Sequence, residues 1–99
     1  MDEQQERFLY AIYATQDTRD ETGRARARDI AWHLGLDIIY EKAERDLYQQ
    51  TTLELRNSGY IDCLAIDARV PTDPITCGIV RLTGEGLNYV ESKRRSPFT

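Results

Sequence analysis

The sequence has few cysteines, a single histidine and no long apolar run. Cys63 and Cys77 are too few for a disulfide framework, and His33 is too isolated for a clustered metal site, so no metal or cofactor is predicted. Both cysteines lie on predicted strands and could face each other across a hairpin, but we expect two small buried thiols in a reducing compartment. No segment approaches the roughly 18 apolar residues of a membrane-spanning helix, so no membrane span is predicted.

The first residues also lack the features of a secretion signal. Residues 1–7 are acidic and contain no apolar core, so we expect a cytoplasmic protein. A length of 99 residues suits a single domain, residues 1–99, with frayed ends at 1–2 and 94–99. Only 40% of the residues are apolar and 30% are charged, which favours a thin core with apolar surface covered in a dimer. The net charge of −4 counts against nucleic-acid binding. Whether the chain can bind a nucleic acid nevertheless depends on how charge is distributed over its surface.

The centre of the chain, residues 28–61, contains two segments of helical periodicity. Apolar residues at helical spacing predict a helix over residues 27–34, from which Trp32 points away from the core. Gly35 tolerates the positive φ that ends a helix, and Asp37 can cap a longer helix that runs to residue 57. Two helices across a tight glycine turn form a helix-turn-helix.

The predicted long helix has an apolar stripe and a polar row opposite to it. The stripe contains Leu36, Tyr40, Ala43, Leu47 and Thr51, and the outward row contains Ile38, Glu41, Lys42, Arg45, Gln49, Thr52 and Arg56. Arginine and glutamine side chains read guanine and adenine edges, so Arg45 and Gln49 are candidate base readers, with Lys42 on a phosphate. Alternatively, Glu41 and Arg45 pair on a solvated helix.

Further elements flank this pair of helices. The patterns predict a helix over residues 3–16, a short strand over 24–28, two strands over 60–66 and 75–82 around a loop at 67–74, and a last helix that Thr83 caps and that ends near residue 93. The short strand carries Arg24, Arg26 and Arg28, three arginines within five residues. These arginines either contact phosphate or form a solvated edge with local pairs such as Arg28–Asp29.

The order of these elements resembles that of the winged helix-turn-helix superfamily. Residues 79–90, in which Leu-Thr-x-x-Gly leads into the last helix, are similar to the ending of MarR-like and PadR-like repressors. The resemblance implies an α+β fold in the order helix, strand, helix, helix, strand, wing, strand, helix, with an unusually long third helix. The loop at 67–74 would be the wing, and Arg69 is its only cation.

The resemblance further implies a sequence-specific DNA-binding transcription regulator that acts as a homodimer, with its third helix in the major groove. The candidate DNA contacts are Arg24, Arg26, Arg28, Lys42, Arg45, Gln49 and Arg69. Two-fold pairing brings two reading heads into register, and we expect the first and last helices to supply most of the dimer contact. The candidate dimer residues are Phe8, Tyr10, Trp32, Leu87, Tyr89 and Val90.

The residues of the chain bear on two alternatives to a DNA-binding regulator, an enzyme and a protein-binding module. The chain has no nucleophile beside a base and no phosphate-cradling glycine loop, so it is not predicted to be an enzyme. A winged-helix module that binds a protein instead of DNA remains open, because the net charge and the acids Asp67 and Asp73 in the wing favour it. The sequence does not indicate which operator would be bound or whether a small-molecule effector is involved.

Overall fold

A computed structural model describes residues 1–16, 23–69 and 73–95 of the chain. Its elements are α1 (Glu3–Thr15), β1 (Arg24–Arg26), α2 (Ala27–Leu34), α3 (Lys42–Asn57), β2 (Ile61–Asp67), β3 (Ile75–Leu82) and α4 (Gly84–Arg95). Within the described ranges the chain therefore has four helices and three strands, which confirms the α+β prediction and the predicted order of elements. Most of the predicted loop at 17–23 lies outside the described residues.

The three strands form one antiparallel sheet in the order β1-β3-β2. Arg26 of β1 lies opposite Ile79 of β3, and Ile61 of β2 lies opposite Leu82 at the other end of β3. The pairing of β2 with β3 is irregular on both sides of Ala65. At this irregularity Gly78 lies so close to the backbone of Asp67 that a Cβ atom on Gly78 would collide with it.

The core lies between the helices and one face of the sheet. Helix α1 contacts α2, α3, α4 and β3, so it occupies the centre of the helical layer. Its Phe8 ring packs on the ring of Tyr48 in α3, with the ring centroids 6.0 Å apart. The largest fully buried side chains come from all four helices and from β2 and β3, and they are Tyr48, Phe8, Leu9, Ile12, Ile30, Leu55, Ile61, Val80, Val90, Thr52 and Cys77.

Short polar contacts set the helix boundaries. Asp2, expected to be frayed, instead caps α1, because its carboxylate accepts a bond from the Gln5 backbone N–H at 2.8 Å. Gly35 ends α2 with a φ of 74°, as predicted. Thr83 caps α4, and its hydroxyl accepts a bond from the Gly86 N–H at 3.1 Å.

The third helix is shorter than predicted. Asp37 accepts bonds at 3.0 Å from the backbone N–H groups of Ile39 and Tyr40, so it stabilises a separate turn rather than the start of α3. Helix α3 begins only at Lys42 and has 16 residues. The predicted start of the third helix at residue 37 or 38 is therefore wrong, whereas its predicted end at Asn57 is confirmed.

A disulfide joins Cys63 of β2 to Cys77 of β3, whose Cα atoms are 4.7 Å apart. The expectation of two unpaired thiols is wrong, and the facing arrangement across the hairpin is the one that forms. The bond cross-links the two long strands. Separately, none of the described helices is long and apolar enough to cross a membrane.

Candidate functional site

The faces of α3 differ from the predicted ones. Its buried residues are Arg45, Tyr48, Thr51, Thr52 and Leu55, whereas Lys42, Ala43, Asp46, Leu47 and Gln50 are exposed. Tyr40, assigned to the core stripe, is 87% exposed. Leu36 and Tyr40 both precede α3, so they do not share its helical periodicity, and an apolar stripe that includes them has the wrong phase.

Arg45 is directed at the hairpin and not at solvent. Only 8% of its surface is exposed. Its Nε donates to Asp73 Oδ2 at 2.9 Å, and its Nη1 donates to the backbone carbonyl of Ile39 at 3.0 Å. Neither the predicted base-reading role nor the alternative pair with Glu41 agrees with this placement, because the guanidinium group is already bound within the chain.

Gln49 is engaged in the same way, one turn further along α3. Its Oε1 accepts a bond from the Thr76 backbone N–H at 3.0 Å, and its Nε2 donates to Thr76 Oγ1 at 3.0 Å. Both ends of the amide are thus bound to β3. Gln49 and Arg45 together connect α3 to the hairpin, so the assignment of Gln49 as a base reader is also wrong.

Lys42 is exposed, as predicted, but its charge is largely matched. Its Nζ donates to Asp46 Oδ2 at 2.6 Å, one turn along the exposed face of α3. This hydrogen bond raises the pKa of Lys42 above its usual value. Of the predicted cationic row, Lys42 is therefore paired and Arg45 is buried, while Arg56 is exposed and donates to Asn57 Oδ1 at 3.4 Å.

Three of the predicted DNA contacts, Arg26, Arg28 and Arg69, lie together in one open cleft, which we call the arginine cleft. Its volume is about 520 Å³, and it is lined by Arg26, Ala27, Arg28, Ile66, Asp67, Ala68, Arg69, Gly78 and Ile79. Arg26 ends β1, Arg28 lies in the first turn of α2, and Arg69 follows β2. Arg24, Lys42, Arg45 and Gln49 do not line it.

The local sequence explains how these arginines reach the same place. In the alternating segment that begins with β1, Ala25 and Ala27 are buried, so Arg26 and Arg28 are exposed. Strands β1 and β2 lie on opposite sides of β3. Gly78 lets the end of β2 approach β3 closely, which brings Arg69 to the same side of the sheet as Arg26.

The cleft has an excess of positive charge, since three guanidinium groups line it against the single carboxylate of Asp67. Arg69 Nε donates to Asp67 Oδ2 at 2.8 Å, and this hydrogen bond holds the pKa of Asp67 below its usual 3.8. Arg28 also has an acidic neighbour outside the cleft, with its Nε 3.8 Å from Asp29 Oδ1 and both side chains more than half exposed. Exposed pairs of this kind are weak.

Most of the predicted dimer residues are used inside the chain. Phe8 and Val90 are fully buried in the core, so their assignment to a dimer contact is wrong. Leu87 is half-buried and packs against the same core. The half-buried Tyr10 and Tyr89 donate their hydroxyl groups to the two carboxylate oxygens of Glu6, at 3.3 and 3.0 Å.

Trp32 is the exception among the predicted dimer residues, since 83% of it is exposed on α2. Its outward direction is as predicted. A fully accessible tryptophan is uncommon on a protein surface and is a typical feature of contact sites. Trp32 is therefore the member of the predicted dimer set that is most accessible to another molecule.

Comparison with protein-family models, with curated proteins and with solved structures finds no match to this chain. Among the described residues, no group of three or more His, Cys, Asp or Glu side chains could hold a metal ion. The arginine cleft is the candidate site because three arginine side chains line it together.

Proposed function

We propose that the chain is a winged helix-turn-helix domain that binds double-stranded DNA, with the arginine cleft on the phosphate backbone. The observation that carries the proposal is the convergence of Arg26, Arg28 and Arg69, from three separate elements, on one open cleft. The element order and the strand order β1-β3-β2 support the class of domain. In such a domain α2 and α3 form the helix-turn-helix, and β2 and β3 form the wing.

The arginines supply what phosphate binding needs. A guanidinium group donates two parallel hydrogen bonds to one phosphate, and its charge is permanent. Arg28 lies in the first turn of α2, where the helix dipole also favours negative charge. The overall charge of −4 does not prevent this contact, because phosphates respond to the local field around the cleft.

The bases are contacted, in this proposal, by the exposed face of α3. That face presents Lys42, Leu47 and Gln50 in place of the predicted Arg45 and Gln49. Gln50 can exchange its 3.2 Å bond to Glu54 for a bond to adenine. Sequence-specific regulation by a homodimer follows if Trp32 mediates the contact between two copies, since two-fold pairing aligns two such helices.

The proposal is tested by fluorescence anisotropy of a labelled random-sequence duplex at several salt concentrations. We expect binding at low salt and a steep loss of affinity as the salt concentration rises, because each neutralised phosphate releases counterions. A complete lack of binding at low salt contradicts the proposal. The chain would then belong to the second candidate class.

That second class is a winged-helix module that binds a protein. Two exposed aromatic residues favour it, Trp32 on α2 and Tyr40 in the turn before α3, at 83% and 87% exposure. The duplex titration distinguishes DNA binding from protein binding, and the Trp32→Ala variant gives a second way to distinguish them. The tryptophan variant should leave monomeric binding to a half-site duplex unchanged if DNA is the partner and Trp32 serves only dimer contact.

A further inference from the structure

The arginine cleft is larger than a phosphate contact requires. A volume of about 520 Å³ lies within the range of roughly 300–1,000 Å³ that is typical of small-molecule sites. The cleft is lined by charged and apolar side chains together. Because a phosphate alone would leave the apolar part unoccupied, the composition of the cleft favours a ligand with a second, apolar part.

The apolar part of the lining is formed by four residues, Ala27, Ile66, Ala68 and Ile79. Ile66 is 66% exposed, so its side chain presents apolar surface to the cleft. A planar ring that covers Ile66 would remove apolar surface from water. Arginine side chains also stack on planar rings, so Arg26 or Arg28 can cover the other face of such a ring.

The charged part fits a terminal phosphate. Arg69 is oriented by Asp67, whose Oδ1 also accepts the Arg69 backbone N–H at 3.1 Å. No side chain caps the first turn of α2, and Ala27 and Arg28 of that turn line the cleft. Backbone N–H groups in the first turn of a helix are donors that a phosphate can use.

From this combination we infer that the arginine cleft is a binding site for a nucleoside monophosphate, with its phosphate on the arginines and its base against Ile66 and Ile79. Phosphate can reach the cleft from two sources, the DNA backbone and a free nucleotide. Binding of the free nucleotide follows from the cleft alone. Its effect on DNA rests on the proposed function, and we expect the nucleotide to compete with a duplex for the same arginines.

The test is isothermal titration of the full chain at low salt with adenosine 5′-monophosphate, adenosine and inorganic phosphate as separate probes. We expect the monophosphate to bind with a Kd of about 1 mM or tighter and at least about tenfold more tightly than either other probe. Arg26→Ala and Arg28→Ala should each weaken its binding about tenfold or more. The matched control is Arg7→Ala, which removes an exposed arginine of α1 outside the cleft and should change nothing.

The inference is overturned if the monophosphate binds no more tightly than adenosine or phosphate, or if the cleft variants bind it as well as Arg7→Ala does. Displacement of a labelled duplex by the monophosphate keeps the two proposals distinguishable. Duplex binding without nucleotide binding removes the inference and leaves the proposed function. Nucleotide binding without duplex binding removes the proposed function and leaves the inference.

Discussion

Arg45 is an arginine that the fold uses for its own structure. A guanidinium group that is withdrawn from water must be compensated, and here Asp73 and the carbonyl of Ile39 do so. Truncation of the side chain removes the hydrogen-bond donor of that carbonyl. It also leaves a cavity at a position that is largely shielded from water. Lys42, by contrast, forms an exposed pair with Asp46 that water can replace.

We therefore expect Arg45→Ala to lower the free energy of unfolding by about 1–3 kcal/mol, and Lys42→Ala to leave it nearly unchanged. Urea titration followed by far-ultraviolet circular dichroism measures both variants. Equal effects of the two substitutions would contradict the placement of Arg45. A base-specific loss of DNA affinity in a fully stable Arg45→Ala variant would contradict it too.

Gly86 is the glycine of the Leu-Thr-x-x-Gly segment, and its role is steric. A Cβ atom at this position would collide with the backbone carbonyl of Tyr60. Gly86→Ala should destabilise the fold by about 2 kcal/mol or more, because the helix and the start of β2 must move apart. Gly84→Ala is the matched control, since a Cβ atom there has no neighbour within 4 Å, and it should stay within about 1 kcal/mol of the parent. Differential scanning calorimetry compares the two, and similar melting temperatures would refute this explanation.

Asp67, which lines the cleft, makes the stability of the fold depend on pH. Its pKa is lowered in the folded chain, first by the hydrogen bond from Arg69, so the carboxylate contributes stability above its unfolded pKa near 3.8. That contribution is lost as the pH falls through the folded pKa. Asp67→Asn should therefore cost stability at pH 7, by less than about 1 kcal/mol, and the difference should shrink below pH 3.8. Urea midpoints of both proteins at several pH values test this, and a difference that grows in acid would contradict it.

The sequence of α3 does not determine which of its side chains face inward. Leu47 and Tyr48 are neighbours about 100° apart on the helix, and either one can set the apolar stripe. The structure buries Tyr48, whose hydroxyl donates to the carbonyl of Cys77 at 2.9 Å. Trp32 was predictable because its helix is bounded clearly by Gly35, so its phase was fixed.

At the scale of elements, the hairpin depends on a covalent bond between its two strands. Cys63 and Cys77 are 14 positions apart, and closing a loop of that length stabilises a fold by about 3 kcal/mol in the chain-entropy account. Disulfides of this kind are typical of oxidising compartments, in contrast to the reducing compartment that the sequence suggested. Arg69 of the cleft lies on this hairpin, so a less stable hairpin would hold Arg69 less firmly in place.

A reductant should therefore lower the urea midpoint of the parent chain, by an amount equivalent to about 3 kcal/mol. The double variant Cys63→Ser with Cys77→Ser should already have the lower midpoint and should not respond to reductant. Identical midpoints of the parent with and without reductant would contradict a stabilising disulfide. Mass spectrometry after alkylation confirms the redox state in each sample.

Element boundaries were predictable where a local residue determines them. Gly35 ends α2 through its positive φ, and Thr83 begins α4 through its hydroxyl. The start of α3 was not predictable in this way, because Asp37 forms the hydrogen bonds of an N-cap but holds a separate turn. Glu41, the residue that does precede α3, makes no side-chain capping bond and so leaves no local signal.

At the scale of the whole molecule, the distribution of charge matters more than its total. The chain carries a formal charge of −4, yet three arginines line one cleft. The sequence identifies the candidate arginines, but it does not show that Arg26, Arg28 and Arg69 lie side by side in the folded chain. Arg26 and Arg69 come together only because β1 and β2 flank β3 and Gly78 permits a close approach. Likewise, the sequence does not show that Asp73 forms an ion pair with Arg45 of α3, while Arg69 forms one with Asp67.

The central claim, that the arginine cleft holds the phosphate backbone, is tested most directly by the salt dependence of duplex binding. The dissociation constant for a random-sequence duplex is measured across salt concentrations for the parent chain, Arg26→Ala, Arg28→Ala and Arg7→Ala. We predict that each cleft variant reduces the slope of log affinity against log salt by about 0.9, the value for one lost phosphate contact, while Arg7→Ala keeps the parent slope. Equal slopes for all four proteins, or no binding by the parent chain at low salt, would contradict the claim.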